Sequence, residues 1–286
     1  MTSIRDLYAG PYRLLNLLAA GHSTEIWEAI HDATRQRVAI KRLRAENPKR
    51  ADVSLLRHEY AVGKALDHPR IVKALQIDQS RRGWFLVLEL FPVSNMKQWI
   101  YQGVERIAHL VPKMIHQSSE AFLYLSEKGW VHGDVKPDNF LISPEGQVKI
   151  IDFALAQKRK TGLARLFAGR GKIQGTPSYM SPEQIRGKVL DHKADIYGFG
   201  CTLYELVSGK KPFTAPRPNE LLAKHLRGAP PWLETANHNI TPEFAALVRD
   251  MLAKKPADRP DIERFQLEFS NLQVFKVQPQ PLGEDP

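Results

Sequence analysis

One cysteine in 286 residues leaves this chain no internal disulfide and no cysteine-built zinc site. That residue, Cys201, lies in the apolar stretch YGFGCTLYELV, a setting for a buried helix side chain. No apolar run reaches 18 residues, so no transmembrane helix is supported. The opening MTSIRDLYAGPY lacks the apolar core of a secretory leader. Repeats, low-complexity tracts, zinc-finger spacings, RNA-binding signatures and basic heptads are all missing, which argues against a dedicated nucleic-acid reader. Acidic residues are in deficit: 31 Asp and Glu face 41 Lys and Arg, for a net charge of +10. That balance favours an acidic partner without choosing among nucleotide, protein, nucleic acid and anionic membrane. Taken together, these features point to the cytoplasm.

What is present is ordinary globular material, 43% hydrophobic and 25% charged, long enough for one large domain or two small lobes. The runs YRLLNLL, EIWEAI, RVAIKRL, IVKALQI and WFLVLEL, all before residue 92, read as short strands. One helical stretch, Ala51 to Leu66, interrupts them. Phe91-Pro92 breaks the pattern, and helices dominate from about Met96. The expected plan is a β-rich lobe over 1–91, a hinge near 89–92, a larger helical lobe over 92–272 and a disordered, proline-rich tail over 273–286.

The most informative stretch is VHGDVKPDNF, 131–140. It sets Asp134, Lys136 and Asn139 at fixed spacing, with Pro137 stiffening the turn, so that a hydroxyl, a phosphate and a metal ion could be held side by side. Twelve residues after Phe140, Asp152 ends the strand-like run KIIDFAL, where a second metal contact could sit. Upstream, Lys41 lies on the strand VAIK and Glu59 on the one helix after it. A strand lysine can neutralise phosphate oxygens if a carboxylate fixes its stem. Singly, each feature has a bland explanation: a strand lysine is ordinarily solvated, and an Asp-x-Lys turn is ordinarily just a turn. Together with IDFA, GTPSYMSPE (175–183), DIYGFG (195–200) and Arg259 in PADRP, in this order, the set resembles the eukaryotic-like (Hanks-type) protein kinase family, serine/threonine branch, over residues 10–270.

The resemblance implies an α+β, two-lobed protein-kinase fold and an ATP-dependent serine/threonine phosphotransferase using Mg²⁺, with Mn²⁺ as a substitute. By that match Lys41, held by Glu59, contacts the α- and β-phosphates, and Asp152 and Asn139 bind metal. Asp134 accepts the substrate hydroxyl proton and Lys136 steadies the transferred group. Thr176 belongs to the substrate turn near Asp134. Ile26 and Ala39 roof the adenine slot, Leu141 floors it, Leu88 stands behind it, and Glu89 to Phe91 offer backbone groups to the base. Glu183 and Arg259 pair to tie down the activation segment, and Asp195 anchors the catalytic loop. Such chemistry needs positioning and charge neutralisation more than covalent catalysis.

The departures are informative. The glycine-rich loop keeps only its middle glycine: its three positions are Ala19, Gly21 and Thr24, implying weaker nucleotide binding. DFG reads DFA, and Ala154 is expected to restrict the flip of that turn. HRD reads HGD, so Gly133 replaces the family's phosphate-receiving arginine. Between Asp152 and Gly175 the one hydroxyl is Thr161, and Lys172 occupies the usual phosphosite. Activity without loop phosphorylation is therefore expected. Lys158, Arg159, Lys160, Arg165, Arg170 and Lys172 make this segment basic: either a solvated face or a dock for an acidic protein substrate. Leu155, after DFA, leans towards serine as acceptor. The same departures sustain a second hypothesis, a catalytically silent nucleotide-binding scaffold. A small-molecule kinase is disfavoured by GTPSYMSPE, which resembles a peptide platform.

Overall fold

The computed structural model describes residues 7–21, 23–44, 48–81, 83–160, 162 and 173–281. The chain divides into two compact units: Met1–Pro92 with Ile151–Ala154, and Val93–Ile150 with Leu155–Pro286.

The first unit is a six-stranded sheet formed by β1 (Tyr8–Ala9), β2 (Tyr12–Ala20), β3 (Thr24–His31), β4 (Arg37–Leu43), β5 (Ala74–Ser80) and β6 (Gly83–Leu88), in the order β1-β2-β3-β4-β6-β5. Neighbouring strands are antiparallel throughout. β4 lies inside the sheet and is buried on both faces from Val38 to Lys41, which explains why apolar Val38, Ala39 and Ile40 follow one another without alternation. Val38 and Ile40 pack with Tyr12, Leu14, Ala29, Phe85 and Val87. On the opposite face Leu43 packs with Leu56, Ala74 and Leu86. Strand alternation therefore places Ala39 and Lys41 on the face covered by α1 (Arg50–Lys64). A Cβ on Gly63 would lie 2.7 Å from the Cβ of Ala74, so glycine is what lets α1 approach β5 this closely. The strand expected from Ile71 begins only at Ala74; Ile71 and Val72 are buried ahead of it.

The second unit is helical, with two small two-stranded sheets. Its elements are α2 (Met96–Gln102), α3 (Val111–Glu127), β7 (Trp130–Val131), β8 (Phe140–Ile142), β9 (Val148–Ile150), β10 (Gln157–Lys158), α4 (Pro182–Ile185), α5 (His192–Ser208), α6 (Pro218–Arg227), α7 (Leu233–Ala236), α8 (Pro242–Met251) and α9 (Ile262–Ser270). β7 pairs with β10 and β8 with β9. α5 is buried all round from Ala194 to Val207, so its apolar pattern has no polar face. Asp191 caps its start, and Gly209 at φ +69° ends it. Phe199 packs on Phe122 at 5.0 Å and on Phe265 at 5.6 Å between ring centroids. Cys201 is fully buried there, and burial raises its thiol pKa.

The tail expected to be disordered from residue 273 is held at its start. Val274 and Phe275 are buried, Thr241 N–H donates to the Val274 carbonyl at 3.1 Å, and Lys276 N–H donates to that of Asn239 at 2.7 Å. Two apolar side chains ahead of the polar QPQP run supply burial that composition alone concealed. Among the described residues, no helix is long and apolar enough to cross a membrane.

Candidate functional site

In the first unit, β4 carries Lys41 beneath α1, whose Glu59 lies on the same helical face as Leu56 and Val62. The Lys41 ammonium donates to Glu59 Oε2 at 2.7 Å and to Asp152 Oδ1 at 3.1 Å. Lys41 and Glu59 are buried, whereas the Asp152 side chain is 36% exposed. Burial opposes the charge on Lys41, but the two carboxylates outweigh it and its pKa is raised. Burial is also the largest influence on Glu59 and pushes its carboxyl up to about 7, against the pull of Lys41. Asp152 adopts φ +67°, left-handed for a non-glycine residue and the kind of local strain that collects at working sites. Ala154 is not among the positive-φ residues, so the alanine of DFA sits without backbone strain. In this structure the unusual backbone falls on the aspartate itself.

The degraded loop joins β2 to β3. Ala19 pairs with Ile26, and Gly21 N–H donates to the Thr24 carbonyl at 2.8 Å, closing the hairpin tightly. Thr24 lies within β3 rather than in the loop. Ile26 is the cross-strand partner of Lys41, and Ala39 that of Leu88. Glu89 N–H donates to the Lys73 carbonyl at 2.9 Å, and Phe91, two residues on, is partly exposed.

In the second unit, the loop between β7 and β8 bears the other group. Asp134 Oδ1 accepts from Thr176 N–H at 2.8 Å and from its hydroxyl at 2.9 Å. Oδ2 accepts from Lys136 Nζ at 2.6 Å, and the same ammonium donates to Thr176 Oγ1 at 2.8 Å. Asn139 is buried and donates its amide to the Asp134 carbonyl at 2.8 Å. That leaves its side-chain oxygen as the acceptor a cation could use. Leu141 lies in β8, bridged to Asn95. The loop is fixed from below: buried Asp195 accepts from His132 N–H at 2.7 Å and Gly133 N–H at 2.9 Å. Burial raises the Asp195 pKa, and those amides pull against it. Gly133 sits at φ +79°, and a Cβ there would lie 3.0 Å from the Leu155 carbonyl oxygen. Glycine thus suits the bend itself.

Arg259 forms a two-pronged pair with Glu183, at 2.6 and 2.9 Å. The arginine also donates to the carbonyls of Ala253 and Lys193 and lies over the Tyr197 ring at 4.8 Å. Of the basic run, Lys158 donates to the Lys128 carbonyl and covers Trp130 at 4.4 Å. Thr161, Arg165, Arg170 and Lys172 lie outside the described residues.

Sequence reasoning missed Gln184, whose side-chain amide holds the Gly133 carbonyl at 2.7 Å. The available signal was Ser181-Pro-Glu-Gln184, a helix capping box: the Gln184 side-chain carbonyl accepts from Ser181 N–H at 3.0 Å. It also missed the buried chain Lys97–Glu205–Tyr179, which no local pattern announces.

Residues 12–268 match the family described as protein kinase domain. Serine/threonine-protein kinase PknA of Mycobacterium tuberculosis is 33% identical over 258 residues, covering 88% of this chain and 58% of the relative. Serine/threonine-protein kinase PknB of Mycolicibacterium smegmatis is 30% identical over 260 residues, covering 87% and 40%. Serine/threonine-protein kinase pkn2 of Myxococcus xanthus is 28% identical over 257 residues, covering 88% and 31%. The chain thus spans 58% or less of the length of these relatives.

Proposed function

The chain belongs to the protein kinase domain family, and from that premise we propose that it transfers the γ-phosphoryl group of Mg-ATP to serine and threonine hydroxyls of proteins. The observation that carries this reading is the Lys41 ammonium, buried and shared between Glu59 and Asp152. A buried cation fixed by one carboxylate and touching a second, half-open one suits phosphate and metal better than it suits a structural pair. ATP and a divalent metal follow from the family. The donors offered, the Asp152 carboxylate and the Asn139 carboxamide oxygen, are hard oxygens that suit Mg²⁺, with Mn²⁺ as a substitute. When bound, the metal neutralises phosphate charge.

The protein's own groups do the rest. Asp134 accepts the hydroxyl proton as the acceptor oxygen bonds to the γ-phosphorus and ADP departs. Lys136 and Thr176 hold that carboxylate in one orientation, so no reorganisation is needed in the transition state. Lys41 holds the α- and β-phosphates. Ile26, Ala39 and Leu141 contact the adenine, Glu89 and Phe91 offer it backbone groups, and Ala19 and Gly21, where β2 turns into β3, cover the phosphates. Gly133 and the absence of a hydroxyl at Lys172 make loop phosphorylation unnecessary. Leu155 favours serine, and the basic segment starting at Lys158 docks acidic protein in the cytoplasm.

Incubation with labelled ATP and Mg²⁺ tests the reading, with Asp134→Asn and Lys41→Met alongside. Label on protein in the wild type alone is expected. Metal-dependent nucleotide binding with no transfer would overturn it in favour of a scaffold. Phosphatase treatment should leave turnover intact; its loss would remove the claim of phosphorylation-independence.

A further inference from the structure

The turn from Thr176 to Met180, which hydrogen-bonds to Asp134, has neighbours whose charges are unequally committed. Glu205 from α5 is 2% exposed; it accepts from the Tyr179 hydroxyl at 2.5 Å and is ion-paired with Lys97. Held between a phenol and an ammonium, it has little to offer a basic side chain. Glu183 is taken up by Arg259. Lys211 differs. Its Nζ lies 3.2 Å from Ser178 Oγ and 5.8 Å from the centre of the Tyr179 ring, and no carboxylate pairs with it among the described residues. Its neighbours in the chain, Pro212 and Phe213, are buried and fix its position. Phe213 packs edge-on against His225 at 4.9 Å, with the Lys254 ammonium 4.3 Å over its ring. A cation anchored this way, with a neutral hydroxyl as its hydrogen-bond partner, is available to an incoming carboxylate.

We propose that Lys211 is a specificity-determining residue that selects substrates carrying an Asp or Glu side chain two or three positions from the phosphorylated hydroxyl. The spacing comes from the turn: Ser178 lies two residues beyond Thr176, inside the turn closed by the Tyr179 N–H to Thr176 carbonyl bond, so the two are separated by less than the roughly 7 Å of two extended residues. Asp138, exposed on the catalytic loop and bearing electrostatically on Tyr179, confines the preference. A carboxylate on its side is repelled, so acidic residues are selected at particular positions and not everywhere.

This inference rests on the kinase reading above, so its test has two arms. In the first, peptides with one Asp stepped through each flanking position are phosphorylated by the wild type, Lys211→Ala, Lys211→Glu and, as a remote charge control, Lys113→Glu. The wild type should favour one acidic position by about fivefold in kcat/KM, the scale of one exposed ion pair. The gain should lie in KM, vanish in Lys211→Ala and reverse in Lys211→Glu, while Lys113→Glu keeps the wild-type order. In the second arm, the same peptides with Ala for the acceptor are bound and followed by fluorescence anisotropy, without any transfer. Turnover with a flat positional profile, or an acidic preference that survives Lys211→Glu, overturns the inference and leaves the kinase reading standing. Absent turnover with a Lys211-dependent binding preference does the opposite. A phosphoserine peptide preferred at the same position, with no preference for Asp, also overturns the carboxylate assignment.

Discussion

Each unit contains a buried ion pair, and the two are built differently. Arg259 and Glu183 meet through two parallel hydrogen bonds, and the remaining guanidinium donors are taken by backbone carbonyls. The cation is saturated, so it holds elements in place and has little left for a ligand. Lys41 and Glu59 meet through one hydrogen bond, and Lys41 divides its remaining capacity with the partly exposed Asp152. That pair is strained by burial and unsaturated, and Glu59 at about 7 is close to giving up its charge. The contrast separates a saturated clamp from a shared, unsaturated cation, although both appear as a simple acid–base pair.

The largest expected effect would break the comparison outright. Arg259→Met should destabilise the fold by about 3–5 kcal/mol in denaturant titration, because it strands a buried carboxylate. Lys41→Met should cost less than about 2 kcal/mol, because Glu59 can take up a proton in place of its lost partner, yet abolish phosphoryl transfer. Equal destabilisation by the two would erase the distinction.

The pH dependence sharpens the comparison, since the two units carry shifts of opposite sign. His225, fully buried against Tyr197 and near Lys254, is driven by burial and by that ammonium down to about 4 from the usual 6.5. The folded state binds fewer protons, so the contribution is present above 6.5 and lost as pH falls towards 4, up to about 3 kcal/mol. Glu59, raised from 4.5 to about 7, behaves oppositely: its contribution is present below 4.5 and lost as pH rises through 7. Stability measured from pH 4 to 8 should flatten on the acid side in His225→Phe and lose its neutral-side decline in Glu59→Gln.

Two smaller effects concern the departures from the family pattern. Gly133→Ala should cost about 1–2 kcal/mol, from the left-handed backbone and the close Leu155 carbonyl. Ala154→Gly should cost about 0.4–1 kcal/mol, because Ala154 carries no positive-φ strain for glycine to relieve and glycine only loosens the unfolded chain. A stabilising Ala154→Gly would mean the alanine is strained after all.

Much of the fold was legible because its periods are strong. β4 reads as a strand and α5 as an apolar helix, and their middles, Val38 to Lys41 and Ala194 to Val207, are buried. The groups meeting at Asp134 were legible from spacing where they lie close in sequence, as Lys136 and Asn139 do, whereas Thr176, 42 residues away, was expected only from the family resemblance. The start of β5 was misread because Ile71 and Val72 are buried ahead of the ladder, Ile71 making only an isolated bridge. The packed tail was misread because two buried residues sit beside a polar run. Lys97, Glu205 and Tyr179 were invisible because they come from α2, α5 and a turn, and no periodicity links separations of 108 and 26 residues.

Sequence by itself determined the family, the order of the motifs and the chemical type of each side chain, because those are written in composition and spacing along one dimension. Tertiary structure alone decided how charge is distributed. It placed the positive φ on Asp152 and not on Ala154, saturated Arg259, left Lys41 shared, and set Lys211 beside Ser178 with no carboxylate among the described residues to answer it. The physical reason is that burial and pairing depend on which groups exclude water from one another, and chain distance does not encode that.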